Sequence, residues 1–114
     1  MEQYPIEFKR GEQYAFTLVY VNNDGSLFNE STGTVSCQFT IKQGYEDPSA
    51  AVTLTKNSGI TYSASTGEFT VVVPSGSTSG ILWTKGVYDM WINSSANGRD
   101  YVLDRTVTIL PNVG

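Results

Sequence analysis

The chain has no histidine and one cysteine, Cys37. It therefore cannot close an intramolecular disulfide, assemble a His/Cys metal cluster or run a histidine-based triad. Charge is also scarce. Only 16% of the 114 residues are Asp, Glu, Lys or Arg, and seven basic residues against eleven acidic ones leave a net charge of −4. A nucleic-acid or anionic-membrane surface needs clustered Lys and Arg, so neither is expected as a partner. No run of apolar residues approaches the ~18 needed to span a bilayer as a helix. The opening MEQYPIEFKRG puts an acid and a tyrosine where a signal peptide carries a basic and then an apolar stretch, which predicts synthesis in the cytoplasm without one.

Hydroxyls, glycines and β-branched residues are plentiful: 13 Thr, 12 Ser and 11 Gly, with Val, Ile, Tyr and Phe at the apolar positions. Such side chains suit a pleated, half-buried surface, and Gly, Asn, Asp and Ser mark its turns. Period-two alternation recurs along the chain. Tyr14, Phe16, Leu18 and Tyr20 take one face of a strand over 13–21, and Val35, Cys37, Phe39 and Ile41 take one face over 33–42. Further strands are predicted over 4–9, 51–55, 60–63, 68–73, 86–93 and 99–110. The stretch 74–82 is too rich in Gly and Ser for more than one helical turn. Seven or eight mostly antiparallel strands, with no amphipathic helix, predict an all-β fold. The expected form is one immunoglobulin-like two-sheet β-sandwich domain over 1–114, with a closed barrel of similar size as the other solution.

Few residues invite chemistry. Asn22, Asp24 and Gly25 sketch a calcium loop, but the later Asp and the bidentate Glu are missing, and a hairpin turn explains them more simply. Asp100 and Asp104 fall on one face of an ideal strand, as a carboxylate pair for glycoside chemistry would, yet Arg99 and Arg105 beside them suggest surface ion pairs. Cys37 sits at a core parity and reads as a small apolar residue. No catalytic residue, cofactor site or metal site is expected.

The tryptophans carry more. Trp91 has the parity of Asp89, opposite Tyr88 and Met90, and so faces outward. Two readings are open: an anchor for a protein or sugar surface, or a ring packed under the 94–98 loop or over the sheet edge. Trp83 reads as a plug for one end of the sandwich. Val19, Val21 and Val72 also have outward parities, and a second, partly apolar face suggests that another chain covers it. The predicted protein-contact residues are Trp91, Asp89, Val72, and Tyr45 and Pro48 in the polar loop.

Taken in order, Lys9-Arg10-Gly11-Glu12, Asn23-Asp24-Gly25-Ser26, Gly33-Thr34-Val35, Gly67-Glu68-Phe69, Gly86-Val87-Tyr88-Asp89-Met90 and Val107-Thr108-Ile109 form a pattern spanning nearly the whole chain. It resembles the small immunoglobulin-like β-sandwich modules of tailed-bacteriophage virion proteins, found among tail-fibre, baseplate and head-associated proteins. The resemblance implies a non-enzymatic virion part made as a free-standing module. A capsid decoration (cement) protein is the leading expectation, with a small tail-fibre or baseplate component as the alternative. The implied partners are the major capsid protein or tail proteins, in a homo-oligomer or symmetric array. From another class, a carbohydrate-binding module would use Trp91 with Tyr88 or Tyr101 as stacking surfaces.

Overall fold

The computed structural model describes residues 6–110 except Asn23, Tyr45, Asp47, Pro48 and Ala96, with the backbone alone for Thr32 and residues 103–105. Within them the fold is all-β. Strands run over Ile6–Lys9 (β1), Tyr14–Val19 (β2), Val35–Lys42 (β3), Val52–Lys56 (β4), Gly59–Ser63 (β5), Glu68–Val73 (β6), Lys85–Ser94 (β7) and Gly98–Leu110 (β8), with one helical turn at Ser75–Thr78 (α1). The strands fall where the alternation places them because each buries its apolar parity. In β6, for example, Phe69, Val71 and Val73 are fully buried, and Glu68 is exposed.

The strand order is β1-β8-β7-β3-β4-β5-β6-β2. The β3–β4, β3–β7, β7–β8, β5–β6 and β2–β6 pairs are antiparallel, whereas β1 joins β8 and β4 joins β5 in parallel. The β4–β5 link is only two residue pairs long, and it fuses the expected pair of sheets into one continuous sheet. That sheet folds back on itself around a single core. Phe16 of β2 meets the ring of Phe39 of β3 edge-on at 5.8 Å, and Phe8 of β1 stacks on Tyr14 of β2 at 5.2 Å.

An aromatic cluster seals one end. Phe69 stacks on Tyr62 at 4.6 Å and meets Tyr20 and Phe28 edge-on or tilted at 6.2 and 6.4 Å. Beside it, the Tyr20 hydroxyl donates to Asp100 Oδ2 at 3.0 Å, tying the end of β2 to β8. At the other end Trp83 lies against the core, over Gly86, and its carbonyl accepts from Arg10 Nη2 at 3.2 Å. This is the plug expected of it.

Two sequence expectations change at β8. A register shift between Met90 and Trp91 leaves Val102 as an extra residue, so Asp100 stands opposite Ile92 whereas Asp104 stands opposite Asp89. The bulge breaks the parity that would have set the two aspartates on one face. Nor does Asp100 join a surface ion pair with Arg99: its carboxylate accepts from Tyr20, and Arg99 lies over Trp91.

Candidate functional site

The outer face of β3, β7 and β8 gathers the polar and aromatic residues that the core parity rejects. Cross-strand register sets Thr55, Gln38, Trp91 and Tyr101 in one row over β4, β3, β7 and β8, with Thr53, Thr40 and Asp89 in the next. Trp91 is partly buried, and Tyr101 beside it is 48% exposed. The Arg99 guanidinium lies over the indole, 4.0 Å from the ring centroid. This stacking fixes a long cationic side chain at a contribution of about 0.5–1 kcal/mol while leaving its N–H groups at the surface. Trp91 has the outward register expected of it, and among the described residues an arginine from the next strand covers its ring.

Asp89 lies on the same face, and a shallow depression lined by Thr40, Lys42, Val87, Tyr88 and Asp89 begins there. Gln38 Nε2 donates to Thr40 Oγ1 at 3.0 Å, holding the amide flat along β3. The surface is flat, hydroxyl-rich and built on four paired strands, the rigid footing a protein contact needs.

Not every predicted contact residue belongs to it. Val72 is outward and partly buried as expected, but it lies on β6, with β3, β4 and β5 between it and β7. Its outward parity placed it on a surface; strand order, which parity does not encode, decided which one. Tyr45 and Pro48 lie outside the described residues. From the sequence Arg99 reads only as an ion-pair residue and Tyr101 only as part of a sugar platform; neither is placed beside Trp91 as a protein contact. The hairpin offered a signal for them: pairing across the 94–98 turn brings Asn93 opposite Arg99, one step from Trp91.

The remaining polar groups do structural work. Asp24 Oδ1 accepts from Ser26 N and Ser26 Oγ at 3.0 and 2.6 Å, and both contacts hold its carboxyl below the usual carboxylate range. Gly25 has φ of 87°, so the segment is a tight turn closed by these bonds. Among the described residues no group of three His, Cys, Asp or Glu side chains is placed to hold a metal ion. Burial, and then the neighbouring Asp100 carboxylate, push the Tyr20 phenol up to about 12, and burial pushes the Cys37 thiol up to about 11. At neutral pH Tyr20 is a fixed hydrogen-bond donor and Cys37 a protonated core residue, poor as a nucleophile. No helix among the described residues is long and apolar enough to cross a membrane.

No family model and no curated protein matches the chain.

Proposed function

We propose that the chain is a non-enzymatic structural protein of a bacteriophage virion, a capsid decoration (cement) protein that binds the capsid surface and stabilises it through the outer face of β3, β7 and β8. The observation that carries the reading is the cluster of Trp91, Arg99 and Tyr101 on that face. Trp, Arg and Tyr are the residue types that dominate interface energetics, and here they sit together on a rigid sheet. Pairing of β3 with β7 and of β7 with β8, beside β5–β6–β2, follows the strand order of immunoglobulin-like domains and supports the resemblance read from the sequence. Repetition by symmetry turns a modest contact into firm attachment, so a small face suffices on a lattice. A sugar platform is supported less well. Arg99 covers the indole face that a sugar ring would stack on, and Tyr88 is buried.

Immunogold labelling of purified particles with antibody against this chain tests the proposal. Regular labelling over the head is the expected result. Labelling at the tail tip or fibres moves the chain to the tail-fibre or baseplate alternative, and unlabelled particles overturn the virion reading.

A further inference from the structure

Asn97–Gly98 is the one Asn-Gly pair in the chain, and it lies at the turn joining β7 to β8. An asparagine followed by glycine is prone to lose its side-chain amide. The next backbone nitrogen is within reach of Cγ, and glycine has no Cβ to hinder the approach. Gly98 has φ of 67°, and a Cβ there would meet nothing within 4 Å among the described residues, so the turn is open on that side.

The Asn97 amide is also a tie between distant parts of the fold. Its Nδ2 donates to Asn22 Oδ1 at 3.0 Å, and it borders the Tyr20 hydroxyl, which donates to Asp100 Oδ2. Asn22 is not free to turn over and accept a different partner. Its own Nδ2 donates to Ser26 Oγ at 3.0 Å and to the Leu27 carbonyl at 3.2 Å, and a carbonyl only accepts. The Asn22 oxygen therefore faces residue 97, and residue 97 has to offer a donor. The Asn97 backbone is held as well, its N–H donating to Ser94 Oγ at 3.0 Å. These bonds join the β7–β8 turn to the 22–27 turn.

We propose that Asn97 is a site of spontaneous deamidation, held back by Asn22, and that its conversion releases the β7–β8 turn from the 22–27 turn. The Gly98 nitrogen loses its proton and bonds to Asn97 Cγ, closing a succinimide ring. The Cγ–Nδ2 bond breaks, and Nδ2 leaves with that proton as ammonia. Water then opens the ring. Addition at Cγ leaves aspartate; addition at the main-chain carbonyl carbon of residue 97 leaves isoaspartate, which lengthens the backbone by one carbon between the paired Ser94 and Gly98. Both products lack the donor that Asn22 requires. Aspartate sets a carboxylate against Asn22 Oδ1, acceptor facing acceptor, close to the Asp100 carboxylate. Asn22 sets the pace because the leaving atom, Nδ2, is the one it holds, so departure requires that hydrogen bond to break. The inference is independent of the virion reading, because it concerns the chain's own chemistry.

Incubation of the full chain in mildly alkaline buffer, followed by peptide mass spectrometry, is the first test. Conversion is expected at Asn97 ahead of every other asparagine, as a mixture of aspartate and isoaspartate. Asn22→Ala frees the leaving amide and is expected to quicken conversion about fivefold, the effect of one ordinary hydrogen bond. Phe16→Ala loosens the core away from Asn97 and is expected to leave the rate unchanged, which controls for general destabilisation. Asn97→Asp supplies the product directly. Its Tm is expected to fall by roughly 5 °C at neutral pH. The new carboxyl faces an acceptor, so folding raises its pKa, and the cost is present above that pKa and lost below it. In acid the protonated group donates to Asn22 again, and the Tm deficit against the unmodified chain is expected to shrink. Conversion at Asn97 no faster than at the other asparagines overturns the proposal. So does an Asn22→Ala rate equal to the unmodified one or matched by Phe16→Ala, or an Asn97→Asp chain with the unmodified Tm at neutral pH.

Discussion

Phe69→Ala is expected to cost about 3–5 kcal/mol, a large part of the roughly 5–15 kcal/mol that holds a domain of this size folded. Phe69 is fully buried on β6, and its ring touches Tyr62 of β5, Tyr20 at the end of β2, and Phe28. Truncation removes the shared wall of three other rings, two of which are tethered: the Tyr20 hydroxyl to Asp100, and the Tyr62 hydroxyl to the Glu30 carbonyl at 2.7 Å. Tethered rings cannot collapse into the space, so the cavity term is felt in full. Phe16 is the control, because it is only partly buried on the edge strand. Its replacement by Ala is expected to cost about half as much. Urea unfolding of both variants checks this. Equal costs would mean that the aromatic cluster is not the packing centre described here.

Gly86→Ala is the second large effect, although it adds a single methyl. A Cβ at Gly86 would collide with the Lys42 carbonyl of β3 and lie 2.5 Å from Trp83 Cζ3. One obstacle is backbone in a paired strand, and the other is an indole packed against the core. Neither yields cheaply, so a loss of about 2–3 kcal/mol is expected, seen as a fall in Tm of roughly 10 °C. Trp83→Leu should relieve part of it by shrinking the plug. A double-mutant cycle is therefore expected to show coupling between the two sites, with a remainder due to the Lys42 carbonyl. Additive costs would show that Trp83 does not cover Gly86.

Glycine at 86 shows where sequence reading stops. Alternation located the strand that begins there but not the ring above it, because Trp83 approaches from a loop. The same limit applies elsewhere. Every described strand was legible, since a strand burying one parity must display it: Val35, Cys37, Phe39 and Ile41 are all buried, and only Thr40 of the other parity joins them. The β8 bulge was not legible: one extra residue at Val102 sets Asp100 opposite Ile92 and Asp104 opposite Asp89, and no residue type announces it. The tight parallel link between Thr55–Lys56 and Gly59–Ile60, which makes two expected sheets into one, was equally silent. At the site, parity alone set Trp91 and Asp89 facing outward. Arg99 became part of the site through hairpin register, a pairing the sequence permits but does not demand. Val72 shares the outward parity yet belongs to another strand group, because parity records depth and says nothing of neighbourhood.

The central claim, that the outer face of β3, β7 and β8 is an assembly surface anchored by Trp91, is tested most directly by Trp91→Ala. The variant and the unmodified chain would be compared in a thermal melt and in co-sedimentation with purified particles. Tyr88, Met90 and Ile92 hold the other side of β7 in the core, so the fold should survive, with the lost Arg99 stacking lowering stability by about 1 kcal/mol or less. Binding should fall by roughly thirtyfold or more per contact, the effect of losing an anchor worth about 2 kcal/mol. A variant that unfolds would make Trp91 a core residue, and one that folds and sediments with particles as well as the unmodified chain would remove the anchor from the account.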